Sequence, residues 1–259
     1  MDRSVGAAPD VAGRVAVVTG ASRGLGAGMA QRFAEVGMHL GLCARTEPAP
    51  PASAIGDCVV TAAVDVTDAA ALDWFSAEVV DRFGRIDLWI NNAGLLAPIG
   101  PLRAVDPGEV AANIDVNVTG VLYGSATFAR HVRTRPGGGV LVNMTSGAGT
   151  RPYEGWAAYC ASKAAVDHAT RVVAAEEAEA GLRAYAVAPG VVDTDMHAAI
   201  RATPADRFPE VERFLQLQRD DAYNSLAWVA DHIVGLAFGN APPRDVVLRV
   251  PDEPRGEPR

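Results

Sequence analysis

Val15-Ala16-Val17-Val18-Thr19-Gly20-Ala21-Ser22-Arg23-Gly24-Leu25-Gly26 is the stretch that decides the fold. It opens with a short apolar run that has no polar alternate, the pattern of a strand buried on both faces. Glycines follow at 20, 24 and 26, and a helical pattern then runs to residue 36, where Gly37 is a natural stop. Strand, glycine turn and helix in that order let the backbone approach a pyrophosphate at a helix N-terminus. The alternative for the glycines alone is a plain tight turn.

Outward from this unit the pattern repeats. Strand-like runs stand at residues 39–43, 58–63, 88–90, 140–144, 182–188 and 245–250. Helical patterns lie between them at about 68–83, with Thr67 or Asp68 as cap, and at 107–133, at the segment carrying Tyr159 and Lys163 to about 180, and at 224–238. Three prolines within residues 48–51 leave no full crossover helix between the second and third strands. The alternation predicts an α/β chain: a single Rossmann-type, doubly wound parallel sheet of about seven strands flanked by helices, with right-handed crossovers. Ligands in such sheets lie outside the C-terminal ends of the strands. Residues 195–222 interrupt the alternation and carry Met196, Ile200, Phe208, Phe214 and Leu217 among charges. They are expected to form short helices laid over the site as a lid, the alternative being a helical hairpin packed on the surface. The expected organisation is a mobile leader at 1–12, one domain at 13–250 and a polar tail at 251–259.

Composition narrows the function classes. The chain has 259 residues, a formal net charge of −8 and 49% hydrophobic residues. No basic cluster offers a surface to nucleic acid or an anionic membrane. No apolar run approaches the ~18 residues of a membrane span, and the first residues lack the pattern of a signal peptide. Cys43, Cys58 and Cys160 have no C-x-x-C spacing, and no two histidines stand four apart. Reduced thiols, no metal and a cytoplasmic location are the expectation.

Two places carry chemistry. Tyr159 and Lys163 stand four apart, on one face of a helix. A nearby ammonium favours a phenolate, so the pair could serve as acid and base for a carbonyl/alcohol reaction, although an isolated pair of this kind is usually an ordinary surface pair. The second place is the end of the second strand. A site for NAD usually has an acid about 20 residues beyond the glycines, on the ribose 2′-hydroxyl. Here the sequence reads Cys43-Ala44-Arg45-Thr46. Arg45, with Arg23 as a second cation, suits a 2′-phosphate and favours NADP(H) over NAD(H). Both arginines could also be solvated surface residues. Asn117 falls within the 107–133 helix, where an amide competes for backbone hydrogen bonds and marks a kink.

Taken together, the chain resembles the short-chain dehydrogenases/reductases. The matches are Thr19-Gly20-x-x-x-Gly24-x-Gly26, Asp65-Val66, Asn91-Asn92-Ala93-Gly94, Asn117, Ser146, Tyr159-x-x-x-Lys163 and Pro189-Gly190-x-x-x-Thr194. The resemblance implies NADP(H)-linked carbonyl reduction. It implies that Ser146 holds the substrate oxygen, Tyr159 donates the proton, Lys163 tunes the phenol and binds the nicotinamide ribose, and Asn117 holds a water in a proton relay. It further implies a cofactor site formed by Gly20, Ser22, Arg23, Gly24, Leu25, Gly26, Arg45, Asp65, Val66, Asn92, Ala93, Gly94, Tyr159, Lys163, Pro189, Gly190, Val192 and Thr194. A homodimer or homotetramer, paired through the helices around Asn117 and Lys163, is implied too.

The runs Pro152-Tyr153-Glu154-Gly155-Trp156-Ala157-Ala158-Tyr159-Cys160 and Asp193-Thr194-Asp195-Met196-His197 are similar to the sepiapterin reductase and benzil reductase branch. That similarity implies a small, often vicinal, dicarbonyl substrate and makes Tyr153, Trp156, Met196 and Phe208 pocket walls. Where sepiapterin reductases carry an acidic pterin anchor near the C-terminus, this chain reads Asp245-Val-Val-Leu-Arg-Val250, with no acid clearly in that place. The rivals are a reductase of carrier-bound 3-oxoacyl chains, a secondary-alcohol dehydrogenase and, outside enzymes, a dinucleotide-binding redox sensor.

Overall fold

The computed structural model describes residues 9–254. Residues 1–8 of the expected leader and 255–259 of the tail lie outside the described residues. Within the leader, Val11 is buried and packs into the core.

Seven strands form one sheet: β1 (Val15–Thr19), β2 (His39–Ala44), β3 (Val59–Ala63), β4 (Leu88–Asn91), β5 (Gly139–Met144), β6 (Leu182–Ala188) and β7 (Val247–Arg249). Their order is β3-β2-β1-β4-β5-β6-β7, and every pairing is parallel. The chain winds outward from β1 to β3, returns to lay β4 against β1, and then winds to the other edge. The order reverses between β1 and β4, which opens a crevice at their C-terminal ends.

Helices on both faces explain why β1 reads as an unbroken apolar run. Ala16 and Val18 face one layer, with Leu40, Leu42, Leu88 and Ile90, against Met29 and Phe33 of α1 (Gly24–Glu35). Val15 and Val17 face the other, with Trp89 and Leu141, against Leu72 and Phe75 of α2 (Ala69–Phe83). Side chains alternate across a strand, so a sheet covered twice needs apolar residues at every position. Asp68 caps α2, accepting from the N–H groups of Ala70 and Ala71 at 2.9 and 3.1 Å. No helix forms between β2 and β3, as the prolines there require.

Two expected helices are broken in the structure. Residues 107–133 form α3 (Pro107–Ile114), a π turn (Asp115–Thr119) and α4 (Gly120–Arg133). Asn113 and Asn117, one turn apart, both direct their amides to the chain at residues 95–97, and the helix widens where they do so. The helix bearing Tyr159 is α5 (Ala157–Glu176), and a separate 3-10 turn (Ala178–Ala180) follows it. Residues 195–222 hold α6 (Asp195–Arg201) and α7 (Val211–Arg219). Next comes α8 (Leu226–Phe238), capped by Ser225, which packs with α1 on the first face of the sheet. No helix among the described residues is long and apolar enough to cross a membrane.

Candidate active site

At the C-terminal end of β1 the chain turns through Gly20 and enters α1 at Gly24. A side chain at Gly26 would lie 2.4 Å from the Gly20 carbonyl oxygen and 2.6 Å from Asn92 Nδ2, so only glycine lets α1 start this close to the strand. Arg23, at the N-cap, makes no side-chain cap, and the first turn of α1 holds no acid. The helix therefore presents uncapped N–H groups and its positive end at the crevice, which fits a pyrophosphate. Asn92 fixes the turn from β4: its Nδ2 donates to the carbonyls of Thr19 and Gly20 at 3.0 and 3.2 Å. The N–H groups of Asn92 and Ala93 donate to Thr19 Oγ1 at 3.0 and 3.1 Å. Ser22 is exposed, and Leu25 packs against the core.

Arg45, just past β2, is exposed, and no ion pair holds it among the described residues. Asp65 lies close enough to feel its charge. The Asp65 carboxyl is held below its ordinary range, first by the Thr67 backbone N–H and hydroxyl and then by Arg45. Arg23 stands differently. Its guanidinium pairs with Asp195 at the start of α6, 3.0 Å away, with both side chains largely exposed. Val66 is buried against Gly120, where an added Cβ would come within 2.7 Å of it.

Ser146, Tyr159, Lys163 and Asn117 converge at the ends of β4 and β5. The Ser146 side chain accepts from the Ala148 N–H at 3.2 Å, and it stands close enough to the Tyr159 phenol to act on its ionisation. Lys163 Nζ lies 5.5 Å from the Tyr159 ring centroid and donates to the Met144 carbonyl at 2.9 Å. Burial dominates the ionisation of both groups. It pushes the phenol up to about 12, against the lowering effect of the Ser146 side chain. It brings the ammonium down to about 8, with Asp167 acting the other way. Burial of the ring thus opposes the lowered phenol expected from the four-residue spacing. A protonated phenol is the form that donates a proton.

Asn117 is fully buried, and its side chain is committed. Its Oδ1 accepts from the Leu95 N–H at 2.7 Å, while Nδ2 donates to Leu95 O, Asn113 Oδ1 and Ser162 Oγ at 2.7, 3.1 and 3.1 Å. The Nδ2 hydrogens are engaged, while Oδ1 accepts one of the two bonds it can, so a water held for a relay would meet that oxygen or the backbone of the π turn. Gly94 lies between the partners: a Cβ there would stand 3.2 Å from Asn117 Oδ1 and 3.9 Å from Lys163 Nζ.

Above Tyr159 lies an aromatic cluster. Trp156 stacks on Phe208 at 4.6 Å and 6°, meets Tyr159 edge-on at 5.7 Å, and touches Tyr153 and Phe214. Leu96, Ile200 and Val211 complete it. Of the four pocket walls expected from the sequence, Phe208 and Trp156 are sealed inside this cluster, while Tyr153 and Met196 stay partly accessible. Trp156 Nε1 is buried with no hydrogen-bond partner. His197 packs near Phe214 and Tyr223, and burial drives its imidazole down to about 4.

Pro189, Gly190, Val192 and Thr194 follow β6. Thr194 faces the glycine turn, its Cγ2 being 3.6 Å from where a Gly24 Cβ would stand. Asn224, buried and not anticipated from the sequence, holds this loop through the Pro189 carbonyl at 3.0 Å and the Val191 carbonyl at 2.7 Å. Glu253 in the tail was equally unforeseen. It accepts from the Ser225 N–H at 2.6 Å and lines a cavity of about 420 Å³ with Val192, Asp193 and Tyr223. Among the described residues no cluster of His, Cys, Asp or Glu could hold a metal ion.

The comparisons with known proteins agree with this geometry. The family model described as short chain dehydrogenase matches residues 14–205. A benzil reductase ((S)-benzoin forming) of Bacillus cereus is 32% identical over 247 residues, covering 92% of this chain and 99% of that protein. A 3beta-hydroxysteroid dehydrogenase of Eggerthella lenta is 32% identical, covering 89% of this chain and 91% of its own length. Among solved structures, a 3-ketoacyl-(acyl-carrier-protein) reductase of Brucella melitensis complexed with NADH superposes with a TM-score of 0.75. It shares 27% identity over 92% of this chain and 97% of that one.

Proposed function

The chain belongs to the short chain dehydrogenase family, and from that premise we propose that it reduces a ketone or dicarbonyl of a small molecule to the alcohol, with NADPH as the preferred cofactor. The observation that carries this reading is Ser146 beside the buried Tyr159 and Lys163, at the same sheet edge as the uncapped N-terminus of α1. When bound, the nicotinamide supplies the hydride. Ser146 and Tyr159 receive the carbonyl oxygen, and the phenol gives it a proton as negative charge develops. Lys163 places a positive charge beneath the ring and offers its remaining hydrogens to a ribose. Asn117 holds residue 95 and the π turn in place behind them. The uncapped helix end takes the pyrophosphate, Asp65 borders the adenine side, and Thr194 borders the nicotinamide side. Arg45, unpaired by any acid within ion-pair distance, suits a 2′-phosphate and supports NADPH. Arg23 lends less support, because Asp195 already engages it.

Benzil reductase as a relative over nearly its whole length favours a diketone. The hydroxysteroid relative favours the same site run toward oxidation of a secondary alcohol. We read residues 13–250 as one domain and 195–222 as its lid, supported by the packing of α6 and α7 on Tyr159. Exposed Leu122 and Tyr123 on α4 and Val172 on α5 support a homodimer or homotetramer, the net charge of −8 speaks against a nucleic-acid partner, and a cytoplasmic location is part of the same proposal.

The test is consumption of NADPH and NADH by the purified protein against an aromatic 1,2-diketone, a simple ketone, a steroid ketone, a pterin and a 3-oxoacyl thioester. NADPH with the diketone should be fastest. A preference for the thioester would assign the chain to the carrier-linked reductases. Dinucleotide binding with no turnover of any carbonyl would make it a sensor.

A further inference from the structure

The reacting groups are divided between two elements. Ser146 stands just past β5, while Tyr159 and Lys163 stand on α5. Their mutual geometry depends on where α5 lies along β5. On the buried face of α5, Ser162, Lys163, Asp167 and Thr170 outnumber the aliphatic Ala158 and Val166. Apolar contact is non-directional, so the position of such a helix is set by its hydrogen bonds. Two of these reach α5 from consecutive residues of β5. Lys163 Nζ donates to the Met144 carbonyl at 2.9 Å, and Asn143 Nδ2 donates to Thr170 Oγ1 at 2.9 Å. Lys163 acts through a flexible four-carbon stem that tolerates a shift of the helix. Asn143 and Thr170 have short side chains, so a shift of about 1 Å breaks their bond.

The Asn143–Thr170 bond continues into the sheet. Asn143 Oδ1 accepts from Asn91 Nδ2 at 2.8 Å, and Asn91 Oδ1 accepts from Trp89 Nε1 at 2.8 Å. An indole N–H only donates, so it fixes which way the Asn91 amide points. That turns Asn91 Nδ2 toward Asn143 Oδ1, and Asn143 Nδ2 toward Thr170. Thr170 donates its own hydrogen to the Val166 carbonyl at 2.7 Å, which leaves its oxygen to accept. All four side chains are buried, Asn143 at 1% exposure and Thr170 at 0%. A buried polar pair of this kind adds little net stability over apolar residues of the same shape. A satisfied network does impose one arrangement. Asn143 lies three residues before Ser146, and Asn91 precedes Asn92, which holds the glycine turn.

We propose that Asn143 and Thr170 are positioning residues for the reaction. Their hydrogen bond sets the height of α5 along β5, and so places Tyr159 and Lys163 against Ser146. Asn91 extends the same tie to the strand that holds the cofactor turn. This rests on the roles given above to Ser146, Tyr159 and Lys163.

The experiment compares wild type with Thr170→Val, Thr170→Ser and Thr170→Ala in NADPH-dependent reduction of the diketone. It reads kcat, KM, NADPH affinity and the thermal midpoint. Thr170→Val keeps the shape and drops the bond. Its kcat should fall by about three- to thirtyfold, with KM and NADPH affinity within about twofold of wild type. Thr170→Ser drops the methyl and keeps the bond, so it should recover most of that loss even where its thermal midpoint is the lower of the two. Activity thus follows the hydroxyl and not the stability. Wild-type kcat in Thr170→Val, or an equal loss in Thr170→Ser, overturns the proposal and leaves the reductase reading intact. If Thr170→Val does not fold, Thr170→Ser against Thr170→Ala decides, since these differ by the hydroxyl alone, and equal kcat overturns the proposal. If neither variant lacking the hydroxyl folds, the bond serves folding and the proposal is overturned. No turnover of any carbonyl by the wild type overturns both.

Discussion

The sheet edge and the α6–α7 segment hold their side chains by different physics. At the edge, Asn92, Asn117, Ser146 and Lys163 are fixed by hydrogen bonds to named backbone atoms at the ends of β1, β4 and β5. Over the edge, Trp156, Phe208 and Phe214 are held by stacking. Ion pairs pin that segment from outside: Arg23 with Asp195 at 3.0 Å, Arg201 with Asp193 at 2.9 Å, Arg151 with Glu210 at 2.8 Å. Hydrogen bonds are directional and fix atoms to fractions of an ångström, as proton transfer to a carbonyl oxygen requires. Ring packing is tolerant of shape, and exposed ion pairs contribute little to stability. On the proposed reading, the reaction is built into the directionally held region, and the identity of the carbonyl compound is left to the packed one.

The largest expected effect breaks the directional side. Tyr159→Phe keeps the ring in its place beneath Trp156 and removes the proton donor. Turnover should fall by roughly 10²–10⁴-fold with NADPH affinity nearly unchanged, measured by initial rates and by fluorescence titration of the cofactor. Retained activity would sink the assigned role.

Phe208→Ala attacks the packed side. Truncating a fully buried ring removes about 3–5 kcal/mol of packing, here from a cluster outside the two sheet-facing cores. Hydrogen exchange should accelerate across residues 195–222 while β1, β4 and β5 stay protected, and KM for the diketone should rise more than kcat falls. Uniform deprotection of the sheet would show that the two regions unfold as one.

The smallest expected effect concerns the cofactor. Arg45→Asp should shift the ratio of kcat/KM for NADPH over NADH by about tenfold or more toward NADH, the value of one good charge contact. Arg23→Ala should leave that ratio nearly unmoved, because Asp195 holds the guanidinium. An equal shift in both would return Arg23 to the phosphate site.

Much of this was legible in the sequence because it depends on neighbours along the chain. The apolar run at 15–18, the glycines after it and the Tyr159–Lys163 spacing are local patterns whose meaning survives without a fold. The prolines at 48–51 removed a helix by geometry alone. Asn113, Asn224 and Glu253 were not read, since each acts on a segment distant in sequence: residues 95–97, the loop after β6, and the cap of α8. The π turn joins α3 to α4 with no break in helical backbone, so residues 107–133 read as one helix.

The sequence by itself determined the seven-stranded α/β order, the glycine turn and the set of polar groups at the strand ends, because strand, turn and helix periodicities are written in consecutive residues. Only the tertiary structure decided how those groups are charged and which are free. Burial raised the phenol of Tyr159 and lowered the ammonium of Lys163, a consequence of the chain excluding water from all sides of α5. Folding α6 against the glycine turn gave Arg23 an ion pair with Asp195, whereas Arg45 has Asp65 nearby but no ion pair among the described residues, although the two look alike in the sequence. Solvent exclusion and the pairing of charges far apart in the chain exist only once the sheet has assembled.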